Sequence, residues 1–205
     1  MSANEFPEKS CDDTGAASRA DPRIERSRAK LLAAATELLA EAGPRALTVD
    51  NVAERSGVAK STLYRHWPSR TALMVDVLRV NMPCTPEVDL ASGFEACLRT
   101  YLRALAGSFG DPEWARILPA LFLLKQQLPE VDDLAESDRD EKVASLTALL
   151  DRGVAEGVIP AGLDPHEVVS ALVGPMMMCA LIGELDAVPA AGEYALDRFL
   201  ASYRH

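Results

Sequence analysis

The residues from Leu47 to Leu73, LTVDNVAERSGVAKSTLYRHWPSRTAL, constrain this 205-residue chain more than any other stretch. They read as a short helix, a tight turn, a second short helix and the start of a third. Thr48 fits an N-cap, because its hydroxyl can accept from a first-turn amide that has no partner inside the helix. Val52 and Ala53 give that helix an apolar side. Gly57 follows, and glycine enters the left-handed backbone that a short turn between helices often needs. Val58 and Leu63 are the apolar anchors of the next helix. Around them Lys60, Ser61, Thr62, Tyr64, Arg65 and His66 form a nearly unbroken run of hydrogen-bond donors. Pro68 then stops the helix, and Ser69 is placed to cap the one after it.

A donor run of this kind suits a DNA major groove better than a core. Arginine and lysine reach guanine edges or phosphates, and the hydroxyls of serine, threonine and tyrosine bond phosphate oxygens. The plain alternative is a solvent-exposed amphipathic helix of mixed charge. Turn glycine, donor-rich helix, aromatic residues and a Pro-Ser restart, all in order, favour a helix-turn-helix over 48–67. The net charge of −10 at first opposes a nucleic-acid partner. Its distribution argues the other way: from Arg23 to Arg70 nine basic residues face five acidic ones, a net of +4 that leaves −14 for the remainder. A basic head on an acidic body localises phosphate binding and orients the head toward DNA.

The run VAERSGVAKSTLYRHWPSRTAL resembles the DNA-binding signature of TetR-type (tetracycline repressor-like) bacterial transcription regulators, whose pattern is close to I-A-x-x-A-G-V-S-K-G-T-L-Y-x-x-F-x-S-K-E-x-L. Ala53, Gly57, Val58, Lys60, Thr62, Leu63, Tyr64, Ser69 and Leu73 match it. Val52, Ser56, Ala59, Ser61, Trp67, Arg70 and Thr71 depart from it. Ala59 removes an N-cap hydroxyl and Ser61 adds a side chain toward the groove, so base preference is open while the motif stands. The resemblance covers about a quarter of the chain, near 23–79. It implies an all-α protein: an N-terminal three-helix DNA-binding head over 23–82, and a C-terminal helical ligand-binding and dimerisation domain over 87–205. Lys60, Ser61 and Thr62 would approach base edges, and Arg65 the groove or backbone. Thr48, Tyr64, His66 and Arg70 would hold phosphates.

The rest of the chain fits that frame. Residues 1–22 are poor in large apolar groups and read as a disordered tail. From Arg23 to Ala42, Ile24, Leu31, Ala35, Leu38, Leu39 and Ala42 share one helix face, with Arg23, Arg26 and Lys30 at its beginning. Ser69 to Met82 forms the connector to the body. Asp89 can cap a helix whose inner face carries Phe94, Leu98, Tyr101, Leu102 and Leu105. Asp111-Pro112 opens a helix to Leu128 that Pro119 should kink or interrupt. A long helix runs from Val131 to Glu156, another from Asp164 to Gly183, and the last from Ala190 to Tyr203. The segment VVSALVGPMMMCALI has no polar face to give to water, so it needs cover from its own domain and from a second subunit. The resemblance implies a homodimer through the last two helices, and a two-fold head reading a palindrome needs one.

The resemblance also implies an effector cavity inside the helical body. Tyr101, Trp114, Phe122 and Met178 are the candidates to line it, since aromatic and methionine side chains suit an apolar small molecule; each equally suits a plain core. An enzyme reading finds little footing. His66, His166 and His205 lack a carboxylate-plus-nucleophile setting, and Asp132, Asp133 and Glu136 read as favourable charge at a helix start. With no phosphate loop or glycine-rich fingerprint, no catalytic residue, metal or cofactor is expected. Cys11, Cys84, Cys97 and Cys179 are scattered, which predicts reduced thiols. A polar N-terminus and the lack of an 18-residue apolar run predict a cytoplasmic protein with no membrane partner. The function these readings predict is a DNA-binding regulator, most simply a repressor released from a palindromic operator by a small molecule. The alternative is a dimeric helical interaction protein that has lost DNA binding.

Overall fold

The computed structural model describes residues 22–87 and 92–203. Among them the chain forms nine α-helices and no strand: α1 (Pro22–Ala42), α2 (Val49–Ser56), α3 (Lys60–His66), α4 (Arg70–Asn81), α5 (Phe94–Phe109), α6 (Pro112–Lys125), α7 (Pro129–Ala155), α8 (Pro165–Ile182) and α9 (Val188–Ala201). Single turns of 3₁₀ helix precede α2 and α9. The N-terminal tail and the Asp89 cap lie outside the described residues. At the described start of α5, Gly93 occupies the N-cap.

Local chemistry sets the N-terminal elements. The Thr48 side chain accepts from the Asn51 amide at 3.2 Å, and Ser69 accepts from Ala72 at 3.0 Å. Each cap satisfies one orphan donor and contributes about 1 kcal/mol. Gly57 ends α2 with φ of 66°, a left-handed conformation that any side chain would strain. Ala59, lacking a hydroxyl, leaves α3 without a side-chain cap. The core beneath comprises Leu31, Ala35 and Leu39 of α1, Leu47, Val52 of α2, Leu63 of α3, Trp67, and Leu73 and Val77 of α4. Burying each large apolar side chain stabilises by about 1.5–3 kcal/mol. Ile24, assigned to the same face, is 51% exposed, because the buried residues of α1 begin only at Leu31.

The C-terminal helices pack around a second part of the same core, with Phe94, Leu98, Tyr101, Leu102 and Leu105 all buried along α5. Where the sequence predicts a kink or an interruption at Pro119, α6 is not interrupted and runs from Pro112 to Lys125 with the proline inside it. Pro119 is itself exposed, while Ile117, Leu118, Ala120 and Leu121 are buried on both sides of it, so tertiary packing overrides the local cost. The start of α5 takes its missing cap from elsewhere: Glu156, just beyond α7, accepts from the Phe94 amide at 2.9 Å. That bond and Arg152 hold its carboxyl below the usual carboxylate range.

Two further expectations are corrected. α8 is long and apolar enough to cross a membrane by length and composition, although only a third of that window is buried. It packs chiefly on α9 and also contacts α5, α6 and α7. Along its outer side Ala171, Pro175, Met178 and Ile182 form an exposed apolar stripe at helical spacing. Cys84 is disulfide-bonded, whereas Cys97 and Cys179 form no disulfide among the described residues. Spacing along a chain does not reveal which thiols meet in space.

Candidate nucleic-acid interface and body cavity

Leu63 is buried on α3 at 1% exposure, and this fixes the rotation of the helix. Ser61 and Arg65, two positions either side of Leu63, stand about 160° from it around the helix, so burying Leu63 turns them to solvent. Tyr64 lies about 100° away and Lys60 opens the first turn. All four are exposed, Tyr64 at 57%. Thr62 and His66 are half-buried at the flanks. Lys60 forms an ion pair with Asp50 of α2, which raises its pKa by a hydrogen bond and by charge. Both partners are well exposed, and exposed pairs open readily to a stronger anion such as phosphate. Arg26 and Lys30 of α1 are also exposed.

Several sequence candidates do more than face outward. Thr48 uses its hydroxyl to cap α2. The Arg70 side chain donates from Nε to the Leu47 carbonyl at 2.7 Å and from a terminal nitrogen to Pro44, tying α4 to the loop before α2. His66 Nε2 lies 3.3 Å from the Ser27 hydroxyl, and its ring stands 5.3 Å from that of Trp67. Residues with no signal in the sequence complete the arrangement. Asp76 of α4 accepts from Trp67 Nε1 at 2.8 Å and from Arg28 of α1 at 2.6 Å. The Arg28 guanidinium also lies 5.5 Å from the Trp67 ring centre. One carboxylate of the connector therefore holds the first helix and the end of the donor-bearing helix together. Trp67 was legible as a motif position; Arg28 and Asp76 are 48 residues apart, beyond any local pattern.

The helical body holds a cavity of about 320 Å³ between α5, α6, α7 and α8. Leu105, Phe109, Trp114, Phe122, Val173 and Met177 supply apolar walls, and Pro83, just beyond α4, also borders it. Trp114 and Phe122, two of the four sequence candidates, are both among these walls. Tyr101 is buried beside the cavity rather than in its wall, with its hydroxyl 3.4 Å from the Lys142 carbonyl. Burial, with Asp138 adding, pushes that hydroxyl up to about 12. Met178 is 58% exposed on the opposite side of α8, and Met177 lines the cavity in its place. One residue along a helix turns a side chain by about 100°. Lys142, 8% exposed and paired with Asp138, also faces the cavity. Its place one turn before Leu146 on the inner face of α7 was the available clue. A larger cleft of about 580 Å³ between α4 and α7 is edged by Glu130, Asp133, Asp138 and Glu141. It lacks aromatic walls, and we take the apolar cavity as the better small-molecule site.

A short helix with an exposed donor face, set by a glycine turn on a packed three-helix head, defines a helix-turn-helix protein of the DNA-binding class. Comparison with known proteins is specific. Residues 31–77 match the model of bacterial regulatory proteins of the tetR family, and residues 93–199 match that of the tetracyclin repressor-like C-terminal domain. The uncharacterized HTH-type transcriptional regulator YdeS of Bacillus subtilis is 30% identical over 169 residues, covering 80% of this chain and 83% of YdeS. The HTH-type transcriptional activator FasR of Mycolicibacterium smegmatis is 38% identical over 96 residues, 44% of this chain and 41% of FasR. A TetR-family regulator from Mesorhizobium loti shares the fold with a TM-score of 0.70 at 20% identity, covering 90% of this chain and all of that one. The chain belongs to the tetR family of bacterial transcriptional regulators.

Proposed function

We propose that this regulator is a homodimeric repressor which binds a palindromic operator through α3 and leaves it when a small molecule occupies the body cavity. The observation that carries the reading is the exposed face of Lys60, Ser61, Tyr64 and Arg65 on a helix anchored by buried Leu63. On this reading Lys60, Ser61 and Thr62 approach base edges and Arg65 the groove or backbone. Thr48, Tyr64 and His66 meet phosphates at the flanks. Arg70 acts mainly by shaping the loop before α2, its remaining donors facing the backbone. The head comprises residues 23–82 and the ligand-binding and dimerisation domain residues 87–205.

Dimerisation is supported by the apolar stripe of α8, together with Tyr194 of α9, which is 67% exposed. A second copy covers an apolar face best by two-fold symmetry, the symmetry a palindrome requires. Control of the head is supported by the connector: Pro83 borders the cavity, and Asp76 on the preceding helix holds Arg28 and Trp67. A ligand that favours one placement of α4 shifts the spacing of the two heads and so the operator affinity. A DNA partner places the protein in the bacterial cytoplasm, and nothing in the reading calls for catalysis.

The test is selection of bound DNA from a random pool, followed by affinity for the winner at several salt concentrations. The expected result is a palindrome with half-sites about one helical turn (~34 Å) apart and affinity that falls steeply with salt. A folded dimer that enriches no sequence would overturn the reading. A promoter reporter then gives the direction of the output: silencing fits the repressor, whereas stimulation, the role named for the relative FasR, would replace it.

A further inference from the structure

The cavity walls are apolar, but two polar features are unexplained by packing. The indole nitrogen of Trp114 is buried, finds no acceptor among the described residues, and belongs to a residue only 4% exposed in the cavity wall. A buried N–H without an acceptor is costly, and Trp is enriched where that hydrogen meets a partner. The charged groups bordering the cavity are also unbalanced. Lys125, Arg139 and Lys142 stand against Asp138 alone, and Lys142 already pairs with Asp138. Lys125 reaches Asp132 at 3.3 Å, outside the cavity lining. Among the described residues the surplus cation of this lining is Arg139.

These features meet in one region. A three-residue link joins α6 to α7, and short links make neighbouring helices antiparallel. That register sets Trp114, near the start of α6, level with the Arg139–Lys142 turn of α7. Resting on the reading of the cavity as the effector site, we propose that its ligand is an apolar monocarboxylate. Its carboxylate accepts from Trp114 Nε1 beside Arg139 and Lys142, and its hydrocarbon part lies along Leu105, Phe109, Phe122, Val173 and Met177. A carboxylate supplies lone pairs for the orphan donor and the negative charge the lining lacks. A neutral alcohol supplies only the first, and an amine opposes the second.

Calorimetric titration of the full-length protein with octanoate, 1-octanol and octylamine tests this, with operator binding followed separately. Octanoate should bind about tenfold or more tightly than either analogue, the difference one charge-assisted contact gives. Arg139→Gln, on an exposed side chain, should reduce octanoate binding several-fold and leave octanol unchanged. Trp114→Phe, with its thermal midpoint checked, should weaken both. Equal binding of octanoate and octanol, tighter binding of octylamine, or an octanoate preference untouched by both substitutions would overturn the carboxylate. Failure of all three to bind would overturn it as well. If octanoate binds as described but leaves the operator complex intact, the ligand class stands and the release reading fails. If a neutral or cationic compound releases the operator through the cavity, the release reading stands and the carboxylate fails.

Discussion

The head and the body of this protein carry their chemistry in opposite ways. In the head, the candidate functional groups of α3 are polar and exposed, and the buried residues beneath them only set the angle at which they are shown. In the body, the candidate functional surface is the core itself, opened into a cavity whose walls come from four helices. The difference teaches where each function is vulnerable. The exposed side chains of α3, Ser61, Tyr64 and Arg65, can change with little cost in stability, because they lie on the solvent side of the helix. The buried residues of the cavity walls cannot change without touching the fold, because interiors are packed at close to crystal density.

Substitutions can break this division or sharpen it. The largest effect should come from Met178→Asp with Ile182→Asp on the exposed stripe of α8. Placing charges there should turn a dimer into a folded monomer by light scattering and remove measurable operator binding. A dimer that survives would move the interface away from α8. Next, Lys60→Ala with Tyr64→Ala should lower operator affinity about 100-fold, given about 1–3 kcal/mol for each base or phosphate contact. The thermal midpoint should hardly move, and a large drop would show that the exposed face is structural after all.

In the body the balance should invert. A Cβ at Gly153 would stand 3.0 Å from Phe94 and from Ile159, both buried. Gly153→Ala should therefore cost about 1–3 kcal/mol in urea unfolding, the range for overpacking a filled core. Operator affinity of the folded fraction should stay unchanged. The smallest effect concerns Glu156, whose carboxyl is held low by the Phe94 amide and Arg152. A depressed carboxylate contributes its stability above the unfolded pKa and loses it as pH falls through the folded one. Glu156→Gln should lower the unfolding midpoint slightly at pH 7, and the gap to the parent protein should close toward pH 3. A gap that widens at low pH would reverse the assigned role of this side chain as a charged cap on α5.

Much of the head was legible because its instructions are local. Thr48, Gly57, Leu63 and Ser69 act within one or two turns of themselves, by capping, by a left-handed turn and by periodicity. The all-α class, the donor face of α3 and the boundaries of α1 and α4 followed from those short-range rules. Even there, the sequence assigned Arg70 to phosphate, while its nearest acceptors in the fold are two carbonyls more than twenty positions away.

The body was legible only in outline. Its helices could be read from capping pairs such as Asp111-Pro112 and Asp164-Pro165, both of which hold the amide two residues on. Which side of α8 faces the cavity could not, since a helix apolar all round offers no phase, and Met177 rather than Met178 turns inward. The sequence by itself determined the element order, the turn that presents α3, and the separation of a basic head from an acidic body. Tertiary structure alone decided the Arg28–Asp76–Trp67 junction, the orphan hydrogen of Trp114 and the cation excess around the cavity. Caps, turns and periodicity act between near neighbours in the chain, whereas a junction or a cavity depends on how whole helices fit side by side.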